Sequence, residues 1–257
     1  MSLFYHKFLR PLLFKLDPEQ AHDVACNLLS VAERFRISKL LARSFFRTET
    51  APTELMGLTF PNCVGQAAGL DKDGRFPGMS SSLGFGHVEV GTVTPKGQPG
   101  NPSPRLFRYP KFNALVNRMG FNNSGSKALA AQISRFYPKG KRPSPLGINI
   151  GKSKDTPLDL ALDDYLSAFS DIAEQADYIA INISSPNTPD LRELHQEKHL
   201  NPLLSSIRSH NLDWSRKSGC SPIPCLLKIS PGLQCFYWLL LVVSIIQLKF
   251  YLKYFNQ

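Results

Sequence analysis

The residues of this sequence that are best suited to chemistry stand at the downstream ends of five short apolar runs. The runs cover residues 63–68, 87–93, 146–150, 178–183 and 225–229. The polar residues at their ends are Lys72, Thr92, Asn149, Asn182, Ser185, Asn187 and Lys228. Amides offer donors and acceptors to a polar ring, a lysine can hold an anion, and a serine hydroxyl is a weak base unless another group assists it. The set therefore suits a polar ligand that carries negative charge.

The segments between these runs predict how the polar residues are positioned. Residues 124–136, 158–175 and 200–210 have helical patterns, and strands that alternate with helices indicate a parallel α/β sheet. The runs are almost wholly apolar, as expected of strands buried on both faces. Ligands bind at the carboxyl ends of such strands, so the polar residues should meet at one mouth. No GxGxxG or GxxxxGK[ST] motif occurs, so the sequence supports neither a Rossmann nor a P-loop site.

The N-terminal region predicts a pair of amphipathic helices. Asp17, Pro18 and Glu19 are typical of a helix start, and apolar residues continue on one face to Phe35. A second apolar segment, 3–14, precedes this helix. Such a pair either packs on a domain, which is more common, or lies on a membrane surface.

Composition narrows the class of protein. The 257 residues, 42% hydrophobic and 19% charged, exclude a wholly disordered chain and allow one barrel of about 250 residues or two small domains. The formal charge of +10 is spread over short clusters such as 34–47 and 139–142, which does not favour nucleic acid and suits an anionic membrane or ligand. Five cysteines without a CxxC motif indicate neither a disulfide framework nor a zinc site, and no metal is predicted. No secretory signal is evident at the N-terminus.

Five motifs occur together in a recognisable order. They are AAGLDKDG at 67–74, GTVTP at 91–95, NRMGFNN at 117–123, GINIGK at 147–152 and NISSPNTP at 182–189. Together they resemble the class 2 dihydroorotate dehydrogenases, quinone-linked flavoenzymes of pyrimidine biosynthesis. The resemblance covers about residues 1–231 and includes the N-terminal helix pair that marks class 2. Class 1 enzymes place a cysteine where Ser185 stands.

The resemblance implies roles for individual residues. Dihydroorotate loses a proton from C5, for which Ser185 would be the catalytic base, and a hydride from C6, which passes to FMN and then to a membrane quinone. The positions that match substrate contacts are Lys72, Asn117, Arg118, Met119, Gly120, Phe121, Asn182 and Asn187. Those that match FMN contacts are Ala68, Gly69, Lys72, Thr92, Asn149, Asn182 and Lys228. His22 and Arg108 match positions beside the quinone tunnel.

Each of these residues also has an ordinary structural interpretation. Ser184-Ser185-Pro186 is typical of a turn that ends a strand, and Lys72 of a solvated loop lysine. An Arg108 in a surface ion pair and a His22 on a helix face are nearly as well supported as the quinone roles. Only the neighbouring motifs favour the functional interpretation.

The sequence departs from the family pattern in two places. Asp190 stands where the family usually has glycine, at a position that suggests a positive φ. The match ends after Pro231, where the family continues into three more strand–helix units. We therefore predict an incomplete (β/α)8 barrel with about five of eight strands: a helical module at 1–50, a partial FMN-binding barrel at 51–231 and an unrelated apolar tail at 232–257. The family holds the flavin phosphate on loops after the seventh and eighth strands, which are not matched here.

Three functional hypotheses follow from these observations. The first is oxidation of dihydroorotate to orotate by a peripheral membrane protein, without nucleic acid as a partner. No mitochondrial leader is visible, so the cytoplasmic face of a bacterial inner membrane is the expected location. The second is a catalytically inactive fragment attached to a membrane through residues 236–252, a stretch of borderline length for a spanning helix. The third, a dihydrouridine synthase acting on RNA, is suggested by the charge of +10 alone, and the motifs argue against it.

Overall fold

The computed structural model describes residues 3, 5–46, 51–230 and 251–253, the last three through their backbone only. The strands are β1 Thr53–Leu55, β2 Leu58–Phe60, β3 Gly65–Gln66, β4 His87–Val93, β5 Leu106–Tyr109, β6 Ala114–Asn117, β7 Leu146–Ile150, β8 Tyr178–Asn182, β9 Cys225–Lys228 and β10 Tyr251–Lys253. The α-helices are α1 Arg10–Leu13, α2 Pro18–Glu33, α3 Arg36–Phe45, α4 Pro77–Ser82, α5 Ser126–Phe136, α6 Ala161–Ile172 and α7 Glu197–Ser218. A π-helical turn covers Tyr5–Leu9, and 3-10 turns cover Pro110–Phe112, Leu158–Leu160 and Leu191–His195.

A parallel sheet in the order β10-β9-β8-β7-β4-β3 forms the centre of the described structure. Helices α4, α5, α6 and α7 each connect one strand to its neighbour, as in βαβ units. The sheet does not close within the described residues, since β3 and β10 lie at opposite edges. The predicted partial barrel is therefore confirmed. Residues 232–250 and 254–257 of the predicted tail lie outside the described part.

The five predicted strands are all present, although the first is shorter than its apolar run, with only Gly65–Gln66 paired. Three predicted helices are also present, and α7 extends to Ser218, eight residues past the predicted end. The outward side chains of β4, β7 and β8 pack against α5, α6 and α7 in one apolar core, which includes Ile148 and Phe169. This core holds the strand ends in register.

The inward face of the sheet carries buried polar side chains. Glu89 on β4 and Tyr178 on β8 are both buried there. Gly147, on the strand between them, leaves room for the Tyr178 ring, since a Cβ at this position would lie 2.1 Å from ring carbon Cζ. The position therefore requires glycine.

The N-terminal helices pack on the sheet domain with one side only. The predicted helix start is confirmed, because the Asp17 carboxylate accepts a hydrogen bond of 2.9 Å from the Glu19 amide. Cys26 on α2 and Ala42 on α3 pack against Phe76 and Met79 of the sheet domain. Other apolar side chains of α2, α3 and the link between them remain exposed: Val24, Leu28, Val31, Phe35, Ile37, Leu40, Leu41 and Phe45. Helix α3 was not predicted.

Hydrogen bonds and ion pairs also connect these helices to the sheet domain. Glu33, buried at the end of α2, accepts a hydrogen bond from the Met79 amide and pairs with Lys39 at 3.2 Å. Glu19 pairs with Arg105 at 2.7 Å, next to the antiparallel hairpin of β5 and β6. No helix in the described ranges is both long and apolar enough to cross a bilayer. Residues 236–250 of the predicted spanning segment lie outside these ranges.

Candidate active site

A cavity of about 800 Å³ lies at the carboxyl ends of the strands. The strand ends form its floor, the β5–β6 hairpin and α2 form one wall, and the loop after β8 forms another. Its polar and charged lining residues are His22, Lys72, Thr92, Asn117, Asn182, Ser184, Ser185, Asn187, Arg192 and Lys228. Its apolar lining residues include Leu70, Leu106, Leu115, Val116, Met119, Phe121 and Ile229. The structure thus brings most of the sequence-predicted site residues to one cavity.

The electrostatics of the cavity favour anions. Lys72, Arg192 and Lys228 line it together with His22, and no carboxylate is found among its described lining residues. Burial lowers the pKa of Lys72, with a smaller contribution from Arg105. Burial also lowers the pKa of His22, and the Lys72 charge adds to this effect. A ligand that carries negative charge would relieve the repulsion between these groups.

A buried carboxylate holds the loop that carries Lys72. Asp71, which is 1% exposed, accepts hydrogen bonds from the amides of Arg75 at 2.8 Å and Phe76 at 2.9 Å. Its own carbonyl accepts a hydrogen bond from the Gly91 amide at 3.0 Å. Burial raises the pKa of Asp71 to about 6. Asp71 was not singled out in the sequence, where it reads as one more polar residue of the loop.

Asp71 should make the folding stability depend on pH. The pKa moves from 3.8 to about 6 on folding, so between these values the folded state binds more protons than the unfolded state. The contribution of Asp71 is therefore complete below about pH 4 and falls by about 3 kcal/mol as the pH rises to 7. We expect the Asp71→Asn protein to lack this decline, so that its free energy of unfolding relative to the parent increases from pH 4 to pH 7. Urea titrations across this range measure the difference, and parallel pH profiles would contradict the assignment.

The floor of the cavity is built from three strand ends in contact. The Thr92 hydroxyl donates to Asn149 Oδ1 at 2.6 Å, and Asn182 Nδ2 donates to Thr92 Oγ1 at 2.8 Å. Thr92 and Asn182 face the cavity, whereas Asn149 is fully buried behind Thr92 and does not line it. Asn149 therefore supports the floor from below.

The loop after β8 carries Ser185. The Asn187 amide donates to Ser185 Oγ at 3.2 Å, and Asn187 Nδ2 donates to the carbonyl of Asn117 at 3.4 Å. No histidine or carboxylate bonds this hydroxyl among the described residues. The loop then passes through Asp190, whose φ of 56° lies in the left-handed region, as the sequence suggested for a position usually held by glycine. Arg192, which the sequence analysis missed, enters the cavity lining from the following 3-10 turn.

Three predicted residues lie away from the lining. The Arg118 guanidinium donates to the carbonyl of Pro104 at 2.8 Å and does not line the cavity. Arg108 is also outside the lining and stacks on the Phe14 ring at 4.2 Å. Asn149, as described above, is the third. His22 does line the cavity, and its ring contacts Cys26 Sγ at 3.6 Å.

The flavin that the resemblance implies would have room along one wall of the cavity. Ala68 and Gly69 line it, and a Cβ on Gly69 would meet nothing within 4 Å, so space is open above the backbone. Lys72, Thr92, Asn182 and Lys228 supply side-chain donors around this space. The apolar residues Leu106, Leu115 and Val116 of the hairpin, none of which was predicted, provide a second, non-polar side of the same cavity.

Comparisons with known proteins agree with this geometry. The family model described as Dihydroorotate dehydrogenase matches residues 50–248, and so runs past residue 231, where we expected the resemblance to end. A relative from Stenotrophomonas maltophilia named dihydroorotate dehydrogenase (quinone) is 47% identical over 229 residues, which are 89% of this chain and 63% of the relative. Another with the same name, from Chloroflexus aurantiacus, is 46% identical over 91% of this chain and 65% of its own length.

Solved structures give the same result. The ligand-free DHODH from Eimeria tenella matches with a TM-score of 0.77 and 33% identity over 93% of this chain and 69% of that chain. Its complex with ferulenol matches with a TM-score of 0.75 and 32% identity. The chain spans just under two thirds of the length of the two curated relatives above. On the family model and these identities, the chain belongs to the dihydroorotate dehydrogenase family, and the relatives that establish this are the quinone-dependent enzymes.

Proposed function

We propose that this protein oxidises dihydroorotate to orotate, with FMN as hydride acceptor and a quinone as final electron acceptor, as a step of pyrimidine biosynthesis. The observation that carries the proposal is the single cavity in which Ser185, Lys72 and Asn182 face a wall that fits a flavin. The positively charged lining of the cavity suits the carboxylate of orotate. Its apolar side, between α2 and the hairpin, suits a quinone.

In this proposal different residues of the chain bind the substrate and FMN. Lys72 would hold the carboxylate of the substrate, and the amides of Asn117, Asn182 and Asn187 offer donors and acceptors that match an imide edge. FMN would lie against Ala68 and Gly69, with Thr92 and Lys228 beside it. When bound, it supplies the acceptor for the hydride from C6 of dihydroorotate.

Ser185 is the proposed base: it would release its own hydroxyl proton to solvent and take up the proton from C5 on the same oxygen. A serine hydroxyl is a weak base, so its surroundings must stabilise its deprotonated form. The Asn187 amide, which donates to Ser185 Oγ at 3.2 Å, does this directly. Lys72 lines the same cavity and adds positive charge to it.

The visible absorption spectrum of the purified 257-residue chain is the first test. We expect a yellow protein that retains FMN and bleaches when dihydroorotate is added without oxygen. Reduction of a soluble quinone analogue should then follow. A folded protein that holds no flavin after incubation with FMN and reduces no quinone would overturn the proposal and favour the catalytically inactive alternative.

We also propose that the protein associates peripherally with a membrane, at the cytoplasmic face of a bacterial inner membrane. The exposed apolar rows of α2 and α3 support this, with Leu28 at 67% and Phe45 at 82% exposure. Residues 34–47 add five cations and no acidic residue, which suits anionic lipids. Sedimentation with phosphatidylglycerol vesicles should be lost in Leu40→Asp and kept in Leu212→Asp, a matched exposed position on α7. Equal loss in both variants would contradict the proposal.

A further inference from the structure

A chain of hydrogen bonds runs along the inward face of the sheet, from the end opposite the cavity to the cavity itself. The Tyr178 hydroxyl donates to Glu89 Oε2 at 3.2 Å, and Asn149 Nδ2 donates to Glu89 Oε1 at 3.0 Å. Thr92 and Asn182 continue the chain upward through the contacts described above. At the top, the amide and the hydroxyl of Ser184 donate to Asn182 Oδ1, at 3.1 and 3.0 Å.

The direction of this chain is fixed at both ends. The Glu89 carboxylate accepts hydrogen bonds, so Asn149 must turn its NH2 group toward Glu89 and its oxygen toward Thr92. The Thr92 hydroxyl then donates to Asn149 and accepts from Asn182. The backbone N–H of Ser184 can only donate, so it requires the oxygen of Asn182. Both ends thus demand the same orientation of every amide between them.

This direction determines what the cavity offers to a ligand. The oxygen of Asn182 is occupied by Ser184, and one N–H of its NH2 group is used by Thr92. The second N–H remains on a side chain that lines the cavity. A ligand over Asn182 must therefore present an acceptor, such as a carbonyl oxygen or an unprotonated ring nitrogen.

We propose that Glu89 is a positioning residue, which orients the amides of Asn149 and Asn182 so that the cavity floor presents a donor to a carbonyl or ring-nitrogen acceptor. Glu89 is fully buried and does not line the cavity, so it acts through the other residues. Burial of a carboxylate lowers the free energy of unfolding unless the group is well hydrogen-bonded. A buried glutamate at this position therefore calls for a specific role. The identity of the acceptor, on FMN or on the substrate, rests on the proposed function. The orientation of the amides does not.

Side-chain amide exchange measured by NMR on protein labelled with 15N-asparagine tests the orientation without any ligand. In Glu89→Leu, the side-chain NH2 protons of Asn149 and Asn182 should exchange at least about tenfold faster, the factor expected for one lost hydrogen bond. In Glu89→Gln, the rates should stay within about threefold, because the glutamine oxygen accepts from Asn149 while its NH2 group donates to the Tyr178 hydroxyl. The signals are assigned by their loss in Asn149→Ala and Asn182→Ala.

Asn211 supplies an internal control for folding. It is buried and takes no part in this chain of hydrogen bonds, and its Nδ2 donates to the carbonyl of Ile223 at 2.7 Å. Its exchange should be unchanged in both Glu89 variants. Unchanged exchange of Asn182 in Glu89→Leu, or equal acceleration in the Leu and Gln variants, would overturn the proposal. If Glu89→Leu also speeds the exchange of the Asn211 side chain, the nearly isosteric Thr92→Val variant decides. In that variant the side-chain amide of Asn182 should exchange faster, whereas that of Asn149 should keep its slow exchange. Unchanged exchange of Asn182 would overturn the proposal.

FMN titration, followed by the quenching of its fluorescence, adds a functional arm. Glu89→Leu should weaken the affinity for FMN about tenfold, as for one lost hydrogen bond, while Glu89→Gln stays near the parent. Tyr137→Phe, which removes another buried hydroxyl remote from the chain, serves as the control and should bind FMN like the parent. If the parent itself binds no FMN, the proposed function fails, and the exchange measurements alone decide the role of Glu89.

Discussion

Ser185→Ala should abolish most turnover while leaving the bound flavin in place. The hydroxyl faces the cavity and is the proposed acceptor of the substrate proton, so its removal takes away the base and leaves the walls that are proposed to hold FMN. General base catalysis contributes about 10² to 10⁴ in rate, and we expect kcat to fall by that range. The rate of flavin bleaching by dihydroorotate under anaerobic conditions measures this step directly, apart from the reaction with quinone.

The controls separate chemistry from binding. Orotate should bind Ser185→Ala within a few-fold of the parent, and Ser170→Ala, an exposed serine on α6, should turn over normally. Ser185→Cys should keep part of the activity, with a rate that rises as the pH approaches the thiol pKa of about 8.5. A Ser185→Ala protein that bleaches flavin at the parental rate would remove Ser185 from the mechanism.

The gathering of the site was predictable from the sequence because it follows from a general rule of parallel sheets. Residues that end neighbouring parallel strands lie at one edge, whatever else the chain does. Lys72, Thr92, Asn182, Ser185 and Lys228 all line one cavity for this reason. The rule predicts only the edge of the sheet at which these residues lie. It could not predict that Asn149 supports the floor from behind Thr92.

The parts that escaped prediction depend on contacts between distant segments. Glu89 lies inside an apolar run and was not singled out from the sequence, and its partners Asn149 and Tyr178 are 60 and 89 residues away. The β5–β6 hairpin lies between two motifs and has no period of its own, yet it supplies an apolar wall of the cavity. Arg192 could be found only from the path of the loop after β8. Sequence patterns report local periodicity, and these features are decided by packing between segments.

Helix α3 shows a second limit of prediction from sequence patterns. Residues 34–47 were noted for their basic charges, and the apolar residues between those charges lie on a helix that extends from Arg36 to Phe45. The choice between packing on the domain and exposure to a membrane surface was left open for the N-terminal helices. In the structure Ala42 is buried against Phe76 and Met79, whereas Leu40 and Phe45 are exposed. One side of α3 therefore packs on the sheet domain, and the opposite side is exposed.

Phe169→Ala should produce the largest loss of folding stability outside the cavity. The Phe169 ring is 0% exposed on α6, in the core between that helix and the sheet, and it meets the His210 ring of α7 edge-on at 5.3 Å. Removal of a buried phenylalanine leaves a cavity and costs about 3 to 5 kcal/mol. This is a large fraction of the whole stability of a typical domain, about 5 to 15 kcal/mol, so the variant should unfold at a much lower temperature than the parent.

Leu160→Ala is the matched control, since Leu160 precedes the same helix and is 49% exposed. It should change the free energy of unfolding by less than about 1 kcal/mol, because a half-exposed side chain loses little buried surface. Urea unfolding of the two variants, followed by circular dichroism, measures the difference. Equal losses would mean that α6 does not pack on the sheet as described. A large loss in Phe169→Ala alone would place the stability of the strand ends, and hence of the cavity floor, in the layer formed by α6 and α7.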